Sequence, residues 1–568
     1  METKKDEKSY DDLQGGGIQD GSVGDPEGTP GFPPLNRATI TNEDYKSEEE
    51  REREGVSKMT ATVSNPYPNG IPFRWSSLWK KAEVNPINNK SLTFNLLRLG
   101  DYYANTFWLA TLGFFVAFLS WFAFSPLVPE AVKKDLKLSG DQVINSNMAS
   151  LGGTALVRII AGPACDKFGP RKVLATLLIL GAIPSGLAAL VKNIHGLEAV
   201  RFFISILGGT FVPTQAWCTL SFDKSVVGTA NAFAGGWGNL GGGVTVAAMI
   251  GLYERFVKAG FSSSKAWRLC FPTLPVPCLL LVAAMILLFG RDHPNGKWSQ
   301  RFDSVPPILK EDAEAAVSSS SVLSNDEKVS SSSVERDPHP PKSIVTSNVD
   351  TAQPQPLTLK NLRAILTDPR VWMVAICYLI TFGLETALDA SLPGLLTTIF
   401  QSPTFTVVDA AYAASTYGLL NIYARPLGGV VADMLYSKFG LRAKVLWLLS
   451  TAFLQGVFLL GLGYYVDSGS PKLGPVMAFI VLIANFGFMA NGAAYAVYGH
   501  LRPANIGTVA GIVGSSGNLG GLCYIAVAKM YPGTRAANNL GKKFWIMGYM
   551  NVAAIAPFFV YQSFVEWR

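Results

Sequence analysis

The chain has little that an enzyme, a secreted protein or a nucleic-acid binder would need. Its six cysteines (Cys165, Cys218, Cys270, Cys278, Cys377 and Cys523) form no CxxC pair, have no histidine nearby, and sit in or at the ends of apolar runs. Disulfides and zinc are therefore not expected. Charged residues make up only 16% of the sequence, and the net charge of +7 is scattered through tails and short loops with no basic stripe, which argues against nucleic acid. No apolar run that could act as a signal peptide precedes residue 90. No catalytic constellation or cofactor motif is found, so no enzyme activity and no cofactor or metal is expected. One false match is Gly236-Trp-Gly-Asn-Leu-Gly241, which spells GxGxxG but lies inside an apolar run with no preceding strand.

What the chain has is hydrophobicity, at 49% of residues with a mean hydropathy of +0.25, gathered into runs of about 20 residues that match a ~30 Å hydrocarbon core. Twelve spans are predicted, at about 104–128, 143–165, 173–192, 197–221, 228–253, 269–290, 371–394, 406–432, 443–464, 474–499, 505–530 and 543–564. Two polar stretches flank and divide them. Residues 1–98, rich in Gly, Pro, Ser and charge, read as a disordered cytosolic tail. Residues 291–369, with serine runs at Ser318–Ser321 and Ser330–Ser333, read as a cytosolic central loop. That loop is chiefly a linker, with phosphorylation by a kinase as the alternative. The expectation is an all-α membrane protein of two pseudo-symmetric six-helix bundles, 99–290 and 370–568, with both termini inside.

The halves repeat each other. Gly228-Thr-Ala-Asn-Ala-Phe-Ala-Gly-Gly-Trp-Gly-Asn-Leu-Gly-Gly242 aligns without gaps to Gly507-Thr-Val-Ala-Gly-Ile-Val-Gly-Ser-Ser-Gly-Asn-Leu-Gly-Gly521, and Arg158 stands eight residues before Asp166 as Arg425 does before Asp433. An arginine inside a span is costly unless it faces a cavity or a partner. Eight residues at 1.5 Å place Arg158 and Arg425 about 12 Å inside a helix end, and eleven place Asn239 and Asn518 roughly 16 Å in. Two guanidinium forks and two amides at one level suit a small planar anion, with the surrounding glycines letting the helices approach. Packing of helices by glycine, and neutralisation of acids elsewhere by arginine, is the alternative. In Gly162–Lys172, the residues Asp166, Gly169, Arg171 and Lys172 are expected to form a charged latch across a tight turn.

These motifs resemble the nitrate/nitrite porters of the major facilitator superfamily, and the wording is most similar to the fungal branch. The resemblance covers nearly all of 100–564 and rests on the glycine–asparagine segments at 234–243 and 514–521 and on the 162–172 turn. It implies two bundles rocking about a midplane site, with Arg158 and Arg425 clamping nitrate and Asn239 and its counterpart Asn518 donating amide hydrogens. Tyr378-Leu-Ile-Thr-Phe-Gly383 is similar to a family pattern, which implies Tyr378 as a hydroxyl donor and Phe382 as wall; Phe211 matches more loosely as the opposite wall. Ordinary packing is the alternative for all three. The second half interrupts its turn with Met434-Leu-Tyr-Ser437, which puts its latch in doubt.

Nitrate stays ionised at physiological pH, and importing it against an inside-negative potential costs about 2.3 kcal/mol per 100 mV. Proton symport, which the resemblance implies, or exchange against nitrite would meet that cost. Glu385 and Asp389, one turn apart in the seventh span, are the candidate proton carriers, with a place at the outer mouth as the alternative. His195 and His500 are expected to be solvated. The expected partners are nitrate, with nitrite as a second candidate, protons and the lipid bilayer, and the expected place is the plasma membrane. A carrier of another anion and a non-transporting nitrate sensor are the rival readings.

Overall fold

The computed structural model describes residues 74–85, 88–127, 131–301, 355–400, 402–403, 405–533 and 539–565. The apolar runs become helices: α1 Tyr102–Leu127, α2 Gly140–Phe168, α3 Pro170–Leu190, α4 Ile194–Ser221, α5 Val227–Lys258 and α6 Ser263–Phe289 in the first half. In the second half stand α7 Pro369–Phe400, α8 in two pieces (Val407–Leu419 and Ala424–Phe439), α9 Leu441–Asp467, α10 Leu473–Tyr498, α11 Ile506–Met530 and α12 Lys542–Phe564.

Among the described residues, ten helices are long and apolar enough to cross a membrane. The two remaining predicted spans are helical but fall short of that measure for different reasons. In α5 the glycines, Asn231 and Asn239 dilute an unbroken helix. In α8 a 3-10 turn at Leu420–Ile422 divides the run. Large apolar side chains on the outer faces, such as Leu281 and Leu288 at 63% and 75% exposed, form the surface a bilayer would cover.

Packing repeats with the sequence. α1 lies along α5 and α7 along α11; α3 pairs with α6 and α9 with α12; and across the halves α2 crosses α11 while α8 crosses α5. Each arginine-bearing helix ends on a glycine in the left-handed region, Gly169 at φ 88° and Gly440 at φ 75°, and there the chain reverses into α3 and α9. Only a residue without Cβ takes that conformation at little cost.

Two domain boundaries are corrected. The predicted tail to 98 ends earlier, because Leu92 and Phe94 are buried and Ser91 bonds the α4–α5 turn, its N–H to Ser221 O and its carbonyl to Asp223 N–H, both 2.9 Å. Phe94 meets Phe107 and Phe222 edge-on. Average composition hid these few apolar anchors. The predicted loop 291–369 is likewise structured at both ends: Trp298 Nε1 donates to Lys167 O (3.0 Å), and Leu359–Leu366 is a helix capped by Thr358. The rest of both segments, 1–73 and 302–354 with its serine runs, lies outside the described residues.

Candidate functional site

The site begins where helix backbones nearly touch. A Cβ on Gly162 of α2 would sit 2.8 Å from Gly507 O of α11, and one on Gly429 of α8 would sit 2.3 Å from Gly228 O of α5. Close backbones let side chains of one half reach main-chain groups of the other. Asp166 accepts hydrogen bonds from the Gly507 and Thr508 N–H groups (2.8 and 2.9 Å) and from Thr508 Oγ1 (2.6 Å), capping α11. Asp433 does the same for α5, accepting from Thr229 N–H (2.6 Å) and Thr229 Oγ1 (2.8 Å).

The expected latch is thus rewired. Asp166 does not pair with Arg171 or Lys172. Arg171 instead donates to Ile286 O and Leu287 O at the end of α6 and approaches Asp292 (3.5 Å), while Lys172 is exposed. Gly169 supplies the turn. The second half keeps its cap despite the interrupted motif, and adds Lys444, whose Nζ lies 2.9 Å from Asp433 Oδ1 and 3.0 Å from His500 Nε2. His500 is therefore not a solvated side chain, as His195 is; burial, then Lys444, Lys224 and Lys90, push its imidazole well below the ordinary range.

About two turns deeper lie the arginines, both fully buried. Arg158 donates from Nε to Gly208 O (2.9 Å) and from Nη1 to Gly514 O in the opposite half (2.7 Å). Its Nη2 is buried without a hydrogen-bond partner, and no carboxylate pairs with it among the described residues. Arg425 mirrors it through Nη1 to Gly235 O (3.3 Å) and leaves Nε unsatisfied, but its Nη2 forms an ion pair with Glu385.

The asparagines act on these same carbonyls. Asn518 Nδ2 donates to Gly514 O and Asn239 Nδ2 to Gly235 O, both 3.0 Å and both within their own helix. Each amide braces, with one of its two hydrogens, the carbonyl that holds a guanidinium.

Three aromatics line Arg158. Its guanidinium carbon lies 4.7 Å from the Phe211 ring centre and 5.3 Å from that of Phe382. Tyr378 stacks on Phe382 at 4.9 Å and 7° and on Phe211 at 5.9 Å and 22°. Its hydroxyl lies 2.9 Å from that of Tyr495. A Cβ on Gly514 or Gly517 would strike these rings at 2.9 and 2.7 Å, so the glycine signature makes room for them.

Of the two acids, Glu385 pairs with Arg425, while Asp389, one turn along α7, has an exposed side chain. Asn491 Nδ2 donates to Glu385 Oε2 (2.8 Å), Asn421 Nδ2 to Oε1 (3.3 Å), and Thr381 Oγ1 fixes Asn491 Oδ1 (2.7 Å). Asn421, Asn491, Tyr495 and Lys444 were missed in the sequence, as was Arg201, a third buried arginine whose Nη1 donates to Ser146 Oγ (3.0 Å). The signal that marked Arg158, a polar side chain inside an apolar run, would have found each of them.

A buried, carbonyl-held guanidinium with a spare donor and no acid is chemically an anion site. The sequence matches the description of the Major Facilitator Superfamily over residues 110–523. It is 29% identical to "High affinity nitrate transporter 2.5" of Arabidopsis thaliana over 83% of this chain and 82% of that one. It is 25% identical to "Nitrate/nitrite transporter NrtP" of Nostoc punctiforme, over 77% and 89% of the two chains. Among solved structures, the proton:xylose symporter XylE bound to 6-bromo-6-deoxy-D-glucose superposes with a TM-score of 0.59 at 15% identity, covering 81% of this chain and 96% of that one. This last likeness concerns the fold.

Proposed function

Because the chain belongs to the Major Facilitator Superfamily, we propose that it is a secondary transporter of the nitrate/nitrite porter type, importing nitrate by alternating access with proton symport. The observation that carries this reading is Arg158, fully buried, held at the back by Gly208 and Gly514, flanked by Phe211 and Phe382, and left with one donor nitrogen. A planar trigonal oxyanion fits between flat rings and accepts from that nitrogen. Arg425 and the Tyr378 hydroxyl complete its surroundings. The named nitrate transporters among the relatives, aligned over most of both chains, support the same substrate.

In this reading the two aspartate caps close the cytosolic end while the site loads from outside, and their release opens the path inward. The transporter sits in the plasma membrane with both termini in the cytosol, and the serine runs at 318–321 and 330–333 are where a kinase would act. The test is uptake of isotopic nitrate into cells expressing the protein, with and without an inward proton gradient. Uptake that follows the gradient and disappears in Arg158→Ala and Arg425→Ala is expected. Uptake that ignores the gradient but rises with internal nitrite would replace symport by exchange, and a surface-expressed protein that takes up no nitrate would end the proposal.

A further inference from the structure

The repeat makes the two arginines equivalent in position, yet the structure makes them chemically different. Both are buried, both are tied to a glycine carbonyl of the opposite half, and both keep one unsatisfied nitrogen. Arg158 has no acidic partner among the described residues. Arg425 has Glu385 on Nη2.

A carboxylate is itself a planar oxyanion, with two oxygens on one carbon at much the same spacing as two oxygens of nitrate. The place where Glu385 meets Arg425 is thus a working anion subsite occupied by a tethered anion. The edge it uses is the useful one, since Nη2 and the unsatisfied Nε are the paired donors of a guanidinium fork. Glu385 is not loosely held. Asn421 and Asn491 hold one oxygen each, and Thr381 orients Asn491, so the carboxyl keeps a defined position even without the arginine. The charged and titratable groups facing it are Arg425 and Tyr417 from α8, Tyr495 from α10 and, one turn along its own helix, Asp389.

Resting on the reading that nitrate is the substrate, we propose that Glu385 and nitrate compete for Arg425, and that a proton on Glu385 hands the arginine over. The proton adds to Glu385 Oε2. The ion pair opens, Arg425 stays protonated, and its Nη2 and Nε turn to two nitrate oxygens while Arg158 Nη2 holds the anion from the other half. The charge balances: Arg158, Arg425 and ionised Glu385 together carry +1 before loading, and the two guanidiniums, the neutral carboxyl and nitrate carry +1 after it, because the proton offsets the anion. Loading therefore leaves the net charge of the site unchanged, whereas nitrate entering beside an ionised Glu385 would set two anions against one guanidinium edge. Arg158 is the standing anchor, Arg425 the conditional one, and Asn421, Asn491 and Thr381 are positioning residues for the exchange.

By linkage, a proton taken up with the anion makes nitrate affinity fall as pH rises, by up to about tenfold per pH unit. Nitrate binding to the purified full-length protein would be titrated calorimetrically across pH, in buffers of differing ionisation enthalpy so that proton uptake is read directly. Wild type should take up a proton with nitrate and lose affinity as pH rises. Glu385→Gln, with its side chain permanently uncharged, should lose the pH slope and the proton uptake, and Asp389→Asn should keep both. Wild type that binds nitrate without a proton overturns the proposal, as does a slope that survives Glu385→Gln or vanishes in Asp389→Asn. The wild-type proton count needs no variant, so it decides even where Glu385→Gln does not fold. No nitrate binding by wild type at any pH removes the substrate reading itself, a different result from nitrate binding that is blind to pH.

Discussion

At Arg158 two nitrogens bond carbonyls on different helices and the third has no hydrogen-bond partner, in a guanidinium that lies beside the Phe211 and Phe382 rings. Lysine keeps the charge but cannot reach Gly208 and Gly514 at once and still present a donor. Arg158→Lys is therefore expected to raise the nitrate KM by about ten- to a hundredfold with normal surface expression, measured by concentration-dependent uptake. His500 offers a test of stability. Its folded imidazole titrates well below 6.5, so between the two values the unfolded chain binds the extra proton. The contribution is fully present above pH 6.5 and is lost as pH falls below it, at no more than about 1.4 kcal/mol per pH unit. Thermal unfolding of the solubilised protein should drop in midpoint from pH 7.5 to 5.5, and His500→Gln should flatten that drop.

At the level of helices, fit depends on the absence of side chains. A Cβ on Gly520 would lie 1.8 Å from Leu379 O, so Gly520→Ala must force α7 and α11 apart, whereas a Cβ on Gly418 meets nothing within 4 Å. We expect Gly520→Ala to lose folded protein on size-exclusion chromatography and Gly418→Ala to behave as wild type. The caps are testable through a built-in reporter. Cys165, 1% exposed, lies against Gly507, while Cys523 is exposed in any case. An N-cap contributes about 0.5–2 kcal/mol, so Asp166→Asn should speed maleimide labelling of Cys165 severalfold and leave Cys523 unchanged.

Across the whole molecule, hydropathy and the internal repeat made the helices, the two halves and the buried arginines legible, because each is encoded in residue type at fixed spacing. The partners of those residues were not. Nothing local in Asp166 says that it caps a helix 341 residues later, nor in Asn239 that its amide turns back on Gly235. The halved α8 was missed because hydropathy averages over a break, and the ordered stretch at 91–96 because a few anchors vanish in a polar average. Since the halves meet through specific contacts, a chain divided between residues 301 and 355 should regain nitrate uptake when both pieces are expressed together, and neither piece should transport alone.

The exchanged caps also bear on how the protein is made. The N-terminus of α5 is completed by Asp433, which the ribosome adds 204 residues after Thr229. Until then the first bundle waits in the membrane with bare amide groups at the start of its central helix, an unfinished half whose last hydrogen bonds arrive only with its twin.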